Sequence, residues 1–243
     1  MRFVYILFLL LLSCKGISCE LNVRLEQYAP ESYKNIENNW FGIDMELTQA
    51  LLSEANCQFK VHELSWGRAL VMLAKGDIDM VLNMSKTPQR ETIFHFIGPI
   101  RQEEIVLATK KGVDLNLTNI EDLAHLKKPI AVQRNAYYGK HVQNLIKNKN
   151  YAHMFIFVTD NQTKIEQLNK GRIIGFLEAK RNIINGISND NTFQNITYQP
   201  LAIHTNPVFF AFSKASINGP LFYRLQLAFE QLIEKGIIVK IDS

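Results

Sequence analysis

The sequence is poor in cysteine, carries no block of one charge sign, and beyond its first dozen residues has no long apolar run. Each scarcity excludes something. The cysteines are Cys14, Cys19 and Cys57. Two lie in or beside an apolar leader, so Cys57 alone belongs to the folded part and no internal disulfide is expected. Following an amphipathic helix, Cys57 reads as a small buried apolar residue rather than a nucleophile. The six histidines are scattered without metal-ligand spacing, so neither a metal nor a cofactor is expected. Gly-rich phosphate loops, GxSxG and HExxH are missing, and with them the commonest hydrolase and nucleotide signatures. The net charge of +4 comes from Lys and Arg dispersed along 243 residues, which offers a nucleic acid no basic patch.

The N-terminus is the one strongly apolar segment. Arg2 precedes an unbroken apolar run from Phe3 to Leu12, with small and polar residues after it. This is the pattern of a secretory signal, too short to span a bilayer. It places the signal at 1–19, with a mature exported chain starting near Cys19–Glu20. The tetrapeptide LLSC at 11–14 offers an alternative, a lipoprotein processing box with Cys14 acylated.

Beyond the leader, strand and helix signals alternate. LNVRLE (21–26) reads as a strand, and 42–55 as a helix with Ile43, Leu47, Ala50 and Leu51 on one face. Residues 58–64 read as a strand, 66–76 as a helix stopped by Gly76, and 77–84 as a buried strand. A second round gives strands at 104–112, 128–133, 154–159 and 172–177. Its helices are 117–126, with Thr118 and Glu121 as a capping box, a polar helix reaching about Asn148, and 160–171. Residues 196–201 and 206–214 are extended, and 219–236 is a closing helix. Two α/β rounds without a linker predict two lobes joined by strands.

Between the rounds lies SKTPQRETIFHF (85–96). Thr87 and then Pro88 mark a helix start and put Arg90 in the first turn. A cation at the positive end of a helix is unfavourable unless an anion completes it. Two partners are open: a ligand carboxylate gripped by the planar guanidinium, or a surface acid such as Glu91 or Glu103.

The motif order resembles the type II periplasmic solute-binding proteins, family 3, the polar amino-acid-binding group. YAPESYKN (28–35) looks like that family's ligand loop, and NWFGIDMELTQAL (39–51) like its first helix. Residues 64–100 match its W…L-x-x-G-x-x-D…T-x-x-R…P run, and 121–139 and 168–179 resemble its second-lobe motifs. The resemblance implies a two-lobe α/β fold, each lobe a mainly parallel sheet flanked by helices, with two crossover strands and a hinge closing over a small ligand. Lobe 1 would be 21–101 plus 208–243, lobe 2 105–203, with crossovers near 101–104 and 203–208. Carried over residue by residue, Arg90 would grip the carboxylate. Asn83 and Ser85 would present polar groups to the solute, and Tyr28 and Trp66 would line the pocket. Asn135, Tyr137 and Glu178 would be the second-lobe contacts. For Tyr28 and Trp66, core packing is the alternative.

The second lobe departs from the family pattern. Asn135 stands where a Gly is usual, a substitution that Asn tolerates at left-handed φ. The family's ammonium-binding Asp aligns with Ala179, with Glu178 adjacent, and strand alternation would turn Glu178 away unless the strand has ended. Arg134, Lys180 and Arg181 would favour an acidic ligand if they faced the cleft. The resemblance therefore implies a non-enzymatic, monomeric periplasmic protein that captures a small carboxylate-bearing solute for an ABC-type permease. A cyclohexadienyl dehydratase-like enzyme with Glu178 as acid, or a secreted ligand-sensing module, are the alternatives.

Overall fold

The computed structural model describes residues 19–239. The apolar leader and Cys14 lie outside them, so the signal and lipoprotein readings fall outside the described residues. The first round runs β1 (Cys19–Leu25), β2 (Tyr33–Lys34), β3 (Trp40–Phe41), α1 (Ile43–Glu54), β4 (Cys57–Glu63), α2 (Trp66–Lys75), β5 (Met80–Ser85) and α3 (Pro88–Glu91). The long strand β6 (Phe94–Lys110) leads to β7 (Ile130–Gln133), α4 (Gly139–Lys147), β8 (Phe155–Val158), α5 (Asn161–Asn169), β9 (Gly175–Ala179) and α6 (Lys180–Asn189). A second long strand, β10 (Ile196–Ser213), returns to the first half, and α7 (Gly219–Glu234) is the last element described.

Eight of the ten strands described form one sheet in the order β4-β1-β5-β10-β6-β9-β7-β8, and β2 pairs with β3 apart from it. β1 runs parallel to β4 and β5, and β7 parallel to β8 and β9. Between these two parallel blocks, β10 and β6 lie antiparallel to each other from Ile196↔Lys110 to Ser213↔Phe94. The fold is two α/β lobes joined by two crossover strands. Alternation along each strand sorts side chains onto two helix-covered faces. In the second lobe Leu107, Ile130, Val132 and Leu177 pack one core, while Val106, Ala108, Ala131 and Phe176 pack another. In the first lobe Leu21, Val23, Met80 and Phe210 pack beneath α1 and α7. On the other face Val81 and Ala211 pack against Trp66 and Leu73 of α2.

Four local expectations need correction. Cys19 belongs to the fold: it opens β1, stands in register with Cys57 on the parallel neighbour β4, and is disulfide-bonded to it. Sequence spacing cannot show that two strands are neighbours, and leader composition claims Cys19 for the signal. The capping box sits one residue later than expected, with Asn119 accepting from the Asp122 N–H at the start of a 3-10 helix, Ile120–His125. The strand expected at 172–177 is β9, Gly175–Ala179. A Cβ on Gly175 would lie 2.4 Å from the Ala108 carbonyl oxygen, so this close approach to β6 sets where pairing begins. Helix α6 is absent from the sequence expectation, because KRNIINGISN is poor in strong helix formers; its buried Ile183 joins the second-lobe core.

The disulfide closes a loop of 38 residues at the sheet edge. Replacing Cys57 with Ser, or reducing the bond, is expected to lower stability by about 2–4 kcal/mol through the freed unfolded chain. Urea unfolding of the oxidised, reduced and C57S proteins measures this.

Candidate functional site

Open parallel sheets collect ligands outside the carboxyl ends of their strands. Here both parallel blocks point those ends at one another. β1 delivers Arg24 and, just past its end, Glu26 and Tyr28; β5 delivers Asn83 and Ser85; β7 delivers Gln133; β9 delivers Glu178. Between them is a cavity of about 70 Å³. Every site residue expected from the sequence lines this cavity except Asn135.

Arg90 sits where the Thr87–Pro88 signal puts it. Thr87 Oγ1 accepts from the Arg90 N–H at the start of the one-turn α3. The guanidinium donates to the Ser85 carbonyl at 2.8 Å in the first lobe and to the Asn135 carbonyl at 3.0 Å in the second. It pairs with no carboxylate among the described residues; Glu91 pairs instead with Lys86. Burial pulls the Arg90 pKa down to about 10, against the opposing pull of Tyr137 and Glu103. Asn135 takes φ 65°, and its carbonyl also receives Trp66 Nε1 at 3.3 Å. Trp66 is buried, and its ring centroid lies 5.3 Å from the Arg24 guanidinium carbon and 6.0 Å from that of Arg90. Core packing and cavity lining are thus both true of it.

Asn83, at φ 60°, donates Nδ2 to Asp44 at 2.6 Å. Asp44 is placed by the turn before α1, where Gly42 has φ 105° and a Cβ would lie 2.4 Å from the Glu31 carbonyl oxygen. Arg101 holds both acids of this corner, 3.3 Å from Glu31 and 3.5 Å from Asp44. Tyr137 presents an edge to His204 of β10, with ring centroids 5.4 Å apart.

Glu178 faces the cavity for a reason the sequence hides. The strand continues through Ala179, and alternation sends Ala179 into one core while Glu178 shares the α5 side with Phe176. There Lys164, fully buried on α5, donates to Glu178 at 2.7 Å. Glu178 also accepts from the Ala179 N–H at 2.8 Å and from the Tyr28 hydroxyl. The Tyr28 contact crosses the cleft, and burial beside this carboxylate raises the phenol pKa well above its usual range. Asn182 crosses as well, donating to the Ala29 carbonyl at 3.0 Å and to Glu31 at 2.5 Å.

Sequence reasoning misses Arg24, Glu26, Asp44 and Lys164, and takes Glu103, which lines the cavity, for a surface acid. Arg24 and Glu26 have a weak signal, charged residues at and just past the carboxyl end of a strand; Lys164 has none. The basic residues set aside for an acidic ligand lie elsewhere. Lys180 pairs with Glu104 at 3.1 Å, Arg181 approaches Glu31 at 3.8 Å, and Arg134 lies over Phe157. Among the described residues no group of three or more His, Cys, Asp or Glu could hold a metal ion, and no helix is long and apolar enough to cross a membrane.

The family model for bacterial extracellular solute-binding proteins, family 3, matches residues 21–241. The chain belongs to that family. No curated protein matches it by sequence. In fold, this solute-binding protein is similar to holo ArgBP from T. maritima, at 17% identity and TM-score 0.74, covering 90% of this chain and 96% of that one. It is similar to AbpA, an amino acid ABC transporter substrate-binding protein from Streptococcus pneumoniae bound to L-arginine, at 21% identity and TM-score 0.75, covering 89% and 90%. It is also similar to a histidine kinase sensor domain, at 15% identity and TM-score 0.77, covering 91% and 92%.

The cavity's charges bear on stability in two ways. Lys164→Met strands Glu178 as a buried lone charge and is expected to cost about 3–5 kcal/mol, whereas the K164M/E178L pair should recover most of it. Urea unfolding of both variants measures this. Glu103, on β6, has its pKa raised from 4.5 to about 7, first by burial and then by Glu178, Glu31 and Asp44, against the lowering by Arg101. Between those values the folded state keeps a proton the unfolded state has lost, so stability falls as pH rises across that window. Glu103→Gln is expected to flatten that fall in thermal melts at about pH 5 and about pH 8.

Proposed function

We propose that this chain is a periplasmic receptor that captures a small amino acid between its lobes and hands it to an ABC-type permease. The observation that carries this reading is the Arg90 guanidinium in the cleft, held by carbonyls of both lobes and paired with no acid among the described residues. A planar fork without an anion suits a solute carboxylate. Closing the lobes around it would exclude water and strengthen the pair. Family membership supports solute capture, and the arginine bound in the similar S. pneumoniae structure supports the amino-acid class. The cavity is narrow and rich in acids, with Glu26, Asp44, Glu103 and Glu178 on its walls. That tells against a dicarboxylate or other polyanion and for a solute bearing a cation as well.

The test is a thermal-shift screen of the twenty standard L-amino acids on the mature chain, then calorimetry with those that raise the melting temperature. Arg90→Ala is expected to weaken binding by more than about tenfold, the scale of a lost charged hydrogen bond. Wild-type affinity in R90A would remove Arg90 from the site.

A further inference from the structure

The charged groups around the cavity divide by whether the fold already supplies them with a partner. Glu26 is paired with Arg24. Asp44 is held by Asn83 and Arg101. Glu178 is held by Lys164, the Ala179 N–H and Tyr28. Two groups remain. Arg90 donates only to carbonyls. Glu103 lines the same cavity and has neither a side-chain hydrogen bond nor an ion pair with any described residue. A cleft with one cation and one acid that form no ion pair with each other or with any other described residue is complementary to a solute that carries both charges.

We propose that Glu103, rather than Glu178, is the seat for the solute's ammonium group, and that the cleft therefore selects zwitterionic solutes over the same acids lacking the amine. The inference rests on the reading of Arg90 as the carboxylate anchor. Its support is positional. Glu103 lies on the crossover stretch of β6, opposite Asn206 of β10, and lines the cavity between the two lobes.

The charges acting on Glu103 come from both lobes. Arg101 shares its strand, Glu31 and Asp44 belong to the first lobe, and Glu178 belongs to the second. Tyr28, Tyr138 and Arg90 each feel its charge. Three acids against an Arg101 already divided between two of them leave Glu103 under-compensated, and burial raises its pKa to about 7. An ammonium group placed beside it removes that deficit. At Glu178 the same group would have to compete with Lys164, already 2.7 Å away.

Calorimetry with L-alanine, L-glutamine and L-arginine, each beside its des-amino analogue, tests the proposal. Wild type is expected to bind at least one amino acid roughly a hundredfold tighter than its analogue. Glu103→Gln is expected to weaken that amino acid by more than about tenfold, leave the analogue unchanged or tighter, and collapse the preference. Glu103→Asp, which keeps the charge, is expected to retain it. Undiminished preference in E103Q overturns the assignment. Equal binding of amino acid and analogue by wild type overturns it too, while leaving Arg90 as an anchor. If neither class binds, the reading of Arg90 fails and this one with it. A misfolded variant is recognised separately, because E103Q without solute should melt no lower than wild type.

Discussion

Two strands bear the whole arrangement. β6 and β10 run antiparallel through the centre of the sheet, and each crosses from one lobe to the other. Because both parallel blocks are attached to this pair, their carboxyl ends are brought face to face. A residue's distance from the crossover decides its fate. Residues well inside either half are sorted by alternation into one of two cores. Residues just past a strand end, such as Tyr28, are delivered to the cavity. Glu103 and Arg101 lie on the crossover stretch of β6, between the two lobes.

The contacts that hold the lobes together are mostly polar and few. Tyr28 meets Glu178, Asn182 reaches Ala29 and Glu31, and Arg90 and Trp66 share the Asn135 carbonyl. Each contact joins polar groups that water could also serve. Inside each lobe the opposite holds, since cores of Leu, Ile, Val and Phe have no alternative solvent. The lobes are apolar within and meet at a polar seam. The buried Lys164–Glu178 pair sits at this boundary. Its cation is rooted in the second-lobe core, and its carboxylate reaches the cleft, so the wall of the cavity is set by a structural ion pair.

The legible parts are those in which neighbouring residues decide the outcome. Thr87 and Pro88 start a helical turn and carry Arg90 with them. Apolar periodicity locates α1, α2 and α7, and strand runs locate β1, β5, β7 and β8. Asn135 adopts the left-handed backbone its side chain tolerates. The illegible parts are those decided by distant neighbours. β9 begins late because Gly175 meets Ala108. Asn119 takes the cap expected of Thr118 because Asp122, not Glu121, closes the box.

Taken alone, the amino-acid order determined the α/β class, the alternation of elements and the placement of an arginine at a helix start, because these depend on contacts within a few residues. Tertiary structure alone decided that Cys19 and Cys57 are bonded, that Glu178 is already held by Lys164, and that Glu103 stands without a partner among the described residues of the cleft. Pairing of charges and thiols is a matter of distance in space, and a one-residue strand register or a neighbouring strand changes it without changing anything the local sequence expresses.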